Sequence, residues 1–123
     1  MALSTLNGVS VLVVEDSWHV AKAIKGALEL LGMQVIGPAA TTTEARQLTA
    51  AHNPKLALVD VNLKQENSHD LIHELHEQGV LVVVVSGYAS VPIAQETIVG
   101  YLQKPFNGPE LVNVLGSVVG RFQ

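Results

Sequence analysis

Asp60 closes an apolar run, Lys55-Leu56-Ala57-Leu58-Val59-Asp60, and the acidic pair Glu15-Asp16 closes another, Val9 to Val14. Ser86 ends a third run that begins at Val80, and Lys104 follows a fourth, Gly100 to Gln103. If these runs are parallel strands of one sheet, their ends share an edge. Three carboxylates, a hydroxyl and an ammonium then meet in one pocket. Carboxylates so placed repel: two unit charges ~4 Å apart at an effective dielectric near 20 cost about 4 kcal/mol. A lysine among them relieves the repulsion, and so does a hard divalent cation. Mg2+ suits this donor set, because it takes a few carboxylate and carbonyl oxygens, keeps several waters and serves phosphate chemistry. A carboxylate can also be a nucleophile that forms an acyl phosphate. Acid pair, single Asp, hydroxyl and lysine are the parts of an aspartyl-phosphate site, in which metal and lysine neutralise the transferring phosphoryl group.

The elements needed to position these groups are legible along the chain. Val9 to Val14 is aliphatic without alternation, which suits a strand buried on both faces. Val20, Ile24, Ala27, Leu28 and Leu31 recur at helical spacing, so a helix is expected from about Ser17 to Leu31, stopped by Gly32. Met33 to Gly37 reads as the second strand. Thr41 with Glu44 is a capping-box signature for a helix that runs to about Ala51 and ends before Asn53-Pro54. Lys55 to Asp60 is the third strand, followed by a polar loop and a helix from Ser68 to Gln78. Val80 to Ser86 is the fourth strand. Pro92 and the β-branched residues near Val99 permit only a short helix between Ala89 and Val99. Gly100 to Gln103 is the fifth strand. Asn107, Pro109 and Glu110 open a last helix that runs almost to Gln123. Strands alternating with helices over short connections indicate an open, doubly wound α/β sheet. Its functional crevice lies at the carboxyl ends of the strands.

Composition narrows the function classes. The 123 residues suit one domain, 1–123, with no linker or repeat. A formal net charge of −4 leaves no basic footprint for nucleic acid. There is no cysteine, so disulfides and thiolate chemistry are excluded. No signal peptide is evident, and no apolar run approaches the ~18 residues of a membrane span. The expectation is a cytoplasmic domain.

The order of the pieces resembles a receiver domain of two-component response regulators over nearly the whole chain, Val9 to Val119. The matching segments are Val-Leu-Val-Val-Glu15-Asp16, Leu-Ala-Leu-Val-Asp60-Val-Asn62-Leu, Val-Val-Ser86-Gly87-Tyr88 and Tyr101-Leu-Gln-Lys104-Pro105-Phe106. The resemblance implies a flavodoxin-like fold with five parallel strands in the order 2-1-3-4-5. It implies that Asp60 accepts a phosphoryl group from a sensor histidine kinase. Glu15, Asp16, Asp60 and the backbone carbonyl of Asn62 would hold Mg2+. Ser86 would bond the phosphoryl oxygen, beside the structural Gly87, and Lys104 would pair with its charge. Lys104-Pro105 would be a cis peptide, and Tyr101 would change rotamer with Ser86. The side chains of Asn62 and Tyr88 would flank the hydrolytic water and set the phosphate lifetime.

The segment between Ser86 and Lys104 is shorter than is usual in that family, and the missing length falls on the fourth helix. This resembles a subgroup of stand-alone receivers with a Gly-aromatic signature after strand four, although the Phe-Ala-Thr start of that signature is absent here. The expected function is a phosphorylation-controlled interaction module with no DNA-binding output domain and an unknown downstream protein. Such a module is not an enzyme beyond its own phosphorylation and slow dephosphorylation. Two alternatives stay open: a pseudo-receiver that is never phosphorylated, and a phosphoryl relay or sink for a kinase. A small aspartate-nucleophile phosphatase is disfavoured, because Asn62 stands where a second acid is needed and no cap insertion exists. The leucine- and valine-rich last helix permits a homodimer. His69, His73 and His76 share one face of the third helix and read as solvent-facing. Trp18, two residues after Asp16, is placed at the pocket mouth.

Overall fold

The computed structural model describes residues 6–87 and 97–118. The element order is β1 (Ser10–Val14), α1 (Trp18–Leu30), β2 (Gln34–Ala39), α2 (Thr42–His52), β3 (Leu56–Asp60), β4 (Asn62–Leu63), β5 (Glu66–Asn67), α3 (His69–Glu77), β6 (Leu81–Ser86), β7 (Gly100–Gln103) and α4 (Gly108–Val118). The main sheet has five strands in the order β2-β1-β3-β6-β7, all parallel. Counted without the short β4 and β5, this is the expected order 2-1-3-4-5. Tyr88, the shortened fourth helix and the last helix beyond Val118 lie outside the described residues.

The unbroken apolar runs are explained by two buried layers. Val11 and Val13, Leu56 and Leu58, and Val83 and Val85 face α1 and α4, where they pack with Ile24, Leu28, Leu111 and Leu115. Their neighbours Leu12 and Val14, Ala57 and Val59, and Val82 and Val84 face the other way, onto Ala45, Leu71, Ile72 and Leu75 of α2 and α3. A period of two along the central strands fills both faces, so their interior positions are apolar without alternation. Gly100 lets β7 approach α4 closely, since a Cβ there would lie 2.9 Å from Val114 Cγ1.

One expectation needs correction. The segment after Asp60, read as a polar loop, is a hairpin in which Asn62 pairs with Asn67 and Leu63 with Glu66. Its turn, Lys64-Gln65, has neither Gly nor Asn, so the usual sequence signal for a tight hairpin is missing. Among the described residues the fifth strand has the expected bounds, and the remaining boundaries move by at most two residues.

Candidate functional site

β1 and β3 are adjacent and parallel, so their carboxyl ends bring Glu15, Asp16 and Asp60 together. One carboxylate oxygen from each lies within 4.8 Å of the others. Glu15 and Asp60 are 3% and 5% exposed, whereas Asp16 is half-buried. Lys104 arrives from the end of β7, and its backbone N–H donates to the Ser86 carbonyl at 2.7 Å. Its Nζ stands 2.6 Å from Glu15 Oε1 and 2.8 Å from Asp60 Oδ2. The contact to Glu15 is a charge pairing without the angle of a directed hydrogen bond, so this buried oxygen keeps an unused lone pair. Glu15 Oε2 accepts from the Ser17 N–H at 3.0 Å.

The electrostatics follow from this crowding. Burial pushes the Glu15 carboxyl above its usual range; the Lys104 ammonium beside it and the bond from the Ser17 N–H offset part of this, and the charge of Asp60 adds to it. Burial pulls the Lys104 ammonium down, but the hydrogen bond to Asp60, the close contact with Glu15 and the negative charge of both outweigh it, and its pKa is held above the usual lysine value. One cation thus serves two buried carboxylates, and a third carboxylate stands beside them. Hard oxygen donors, an excess of negative charge and a buried oxygen with spare capacity fit Mg2+.

The Asp60 Oδ1 atom accepts from the Asn62 N–H at 3.1 Å, and Asn62 itself is exposed. Ser86 ends β6 fully buried, next to β7 in register with Gln103. The Lys104–Pro105 peptide is cis, and so is Gly37–Pro38, which carried no signal in the sequence. Gly87 is exposed, and among the described residues a Cβ there would meet nothing within 4 Å. Tyr101 is half-buried against the α2–α3 side of the core, and its buried hydroxyl has no hydrogen-bond partner among the described residues. Trp18 is 66% exposed and lines the same cleft as Glu15 and Asp16, with Lys22 Nζ 4.9 Å from its ring centroid. His73 and His76 are exposed and His69 is half-buried. Among the described residues, the one group of three or more potential metal ligands brought together is Glu15, Asp16 and Asp60.

Sequence reasoning missed the residues that shape the loop after Asp60. Ser68 is fully buried, and its hydroxyl bonds the carbonyl of Asp60 and, at 3.0 Å, that of Val61. It occupies the N-cap position of α3 without capping that helix by its side chain. A serine before a helix reads as a cap, so its true partners, seven and eight residues back, leave no local trace. Ser68→Ala removes the donor to both carbonyls at the nucleophile and is expected to cost about 1–3 kcal/mol in urea unfolding. A loss below a few tenths would show that the backbone here is satisfied otherwise.

With this geometry in place, the class of protein is defined by comparison. The family profile described as response regulator receiver domain matches residues 11–116, and the chain belongs to that family. It is 30% identical over 112 residues to the C4-dicarboxylate transport transcriptional regulatory protein DctD of Pseudomonas aeruginosa. That match covers 84% of this chain but 23% of DctD, so the chain spans under a quarter of that relative. A CheY-like receiver domain structure from Methylobacillus flagellatus superimposes with a TM-score of 0.79 at 27% identity, covering 91% of this chain and 99% of the other. The response regulator PhyR from Brucella abortus has the same fold, with a TM-score of 0.83 at 23% identity over 98% of this chain and 51% of that one.

Proposed function

We propose that this chain is a phosphorylation-controlled interaction module in the cytoplasm. Asp60 takes a phosphoryl group from a sensor histidine kinase, and the change alters contacts with a downstream protein. The observation that carries this reading is the three-carboxylate cluster sharing one ammonium, on a chain of the receiver family. Nearly buried carboxylates without full compensation are a cost to folding, and a metal-assisted phosphoryl acceptor accounts for it.

In the forward step an Asp60 carboxylate oxygen attacks phosphorus, forming an O–P bond. The P–N bond to the donor imidazole breaks, and its electron pair stays on the ring nitrogen. Glu15, Asp16, Asp60 and the Asn62 carbonyl would hold Mg2+, which when bound neutralises charge on the phosphoryl oxygens. Lys104 supplies a second positive charge, at present divided between Glu15 and Asp60. Ser86 donates its hydroxyl to a phosphoryl oxygen. In dephosphorylation water attacks phosphorus, the P–O bond to Asp60 breaks with its electron pair left on the carboxylate, and the phosphoryl group departs with the water oxygen and its proton as inorganic phosphate. No outside substrate is turned over.

Intact-mass analysis after incubation with acetyl phosphate tests this. A gain of one phosphoryl group with Mg2+, absent without it and absent in Asp60→Asn, is the expected result. No gain from acetyl phosphate or from any histidine kinase would leave the pseudo-receiver reading.

A further inference from the structure

The β4–β5 hairpin meets two of the three acids, Asp60 through the Asn62 N–H and Asp16 through the Lys64 N–H, yet strands of two residues do not persist by themselves. Leu63 anchors it in the core, and two polar contacts tie it down. The Lys64 N–H donates to the Asp16 carboxylate. The Glu66 carboxylate accepts from the Thr42 hydroxyl at 2.6 Å and from the Thr42 N–H at 3.1 Å.

Thr42 opens α2, so its N–H is one of the first-turn amides that lack an intrahelical acceptor. The positive end of the helix dipole adds to the attraction for a carboxylate there. Thr42 Oγ1 also accepts from Arg46 Nη1 at 3.2 Å, and Arg46 grips Glu74 of α3 at 2.8 and 3.0 Å. A polar strap therefore runs from α3 through α2 to the hairpin. The helix does not need Glu66 as its cap: Thr41 Oγ1 accepts from the Glu44 N–H at 3.1 Å, and Glu44 accepts from the Ala40 N–H at 2.9 Å. What Glu66 holds is the hairpin. Hydrogen bonds from the Thr42 hydroxyl and then its N–H keep the Glu66 carboxyl below its usual range, so it stays charged at neutral pH.

We infer that Glu66 is a positioning residue for the metal and phosphoryl site. By tying the hairpin to the start of α2, it holds Asn62 beside Asp60 and aims the Lys64 N–H at Asp16. This rests on the phosphoryl-acceptor reading. Groups that orient metal ligands typically change metal affinity 10–100-fold when removed. Because Glu66 acts through the backbone at an exposed position, the expected effect is at the low end.

The test uses the full chain, Glu66→Ala, Glu66→Gln and Thr42→Ser. Calorimetry measures Mg2+ binding, and amide hydrogen exchange in metal-free buffer follows the Lys64 N–H. Glu66→Ala is expected to weaken Mg2+ binding about tenfold and to speed Lys64 exchange. Its labelling by acetyl phosphate should slow at low Mg2+ and recover at saturating Mg2+, as a KM-type defect does. Thr42→Ser keeps both donors and should behave as the unsubstituted chain. If Glu66→Ala does not fold, Glu66→Gln carries the same comparison. Mg2+ affinity within twofold of the parent together with unchanged Lys64 exchange would overturn the inference. Failure of the unsubstituted chain to bind Mg2+ would instead overturn the phosphoryl-acceptor reading, and this inference with it.

Discussion

Asp60→Asn melts about 3–6 °C above the unsubstituted chain in metal-free buffer at pH 7.5, an increase worth about 1 kcal/mol for a domain of this size. It also takes up no phosphoryl group. The amide's single oxygen can still accept from the Asn62 N–H, its NH2 takes the place of the oxygen that Lys104 bonded, and one of the crowded charges is gone. Lys104 then serves Glu15 alone. The same argument sets a pH dependence. The folded protein holds the Glu15 proton more tightly than the unfolded chain does, because burial and then the charge of Asp60 raise its pKa above the ordinary 4.5. The stability linked to this group is complete below that value and is lost as pH rises through the folded pKa. Metal-free wild type therefore loses stability as pH rises from the ordinary carboxylate range through the raised Glu15 pKa, and Asp60→Asn loses less. Saturating Mg2+ should narrow or reverse the difference, since it binds the folded wild type best. A mutant that melts at or below the wild-type temperature without metal would show that the carboxylates are not in net repulsion.

Lys104→Met loses about 2–4 kcal/mol of stability at pH 7.5 without metal. Removing one partner of a buried ion pair typically costs 3–5 kcal/mol, and the 26% exposure of the Lys104 side chain places the loss at the lower end. The Glu15 and Asp60 side chains are 2% and 7% exposed, so water does little for the charges left behind. Two features separate this from a packing defect. Acidification through the raised Glu15 pKa should restore stability, and a given Mg2+ concentration should stabilise the variant by more than it stabilises the unsubstituted chain, because the ion replaces the missing positive charge. Denaturant melts across pH and Mg2+ give both numbers. A loss that acid does not relieve and that Mg2+ relieves no more than it stabilises the unsubstituted chain would assign Lys104 a packing role. Acetyl phosphate labelling should be much slower even at saturating Mg2+, because the second positive charge is gone.

Much of the fold was legible because each apolar run and each helix stop reports its local surroundings. Val82, Val83, Val84 and Val85 are consecutive and apolar because alternate members face opposite layers. Thr41 and Glu44 mark the start of α2 because capping is a contact between near neighbours. The hairpin after Asp60 was not legible, because its stability comes from α2 and from Asp16, not from its own turn.

Taken by itself, the amino-acid sequence determined the strand ends, and with them the identities of Glu15, Asp16, Asp60, Ser86 and Lys104 as edge residues. It also placed the chain beside the receiver family. Only the tertiary structure decided how the charge is shared. That one ammonium spans Glu15 and Asp60, that Ser68 serves the carbonyl of the nucleophile, and that Glu66 reaches Thr42 are contacts between residues 8 to 89 positions apart. Such pairings depend on where parallel strands and their crossover helices come to rest, and local sequence carries no record of that.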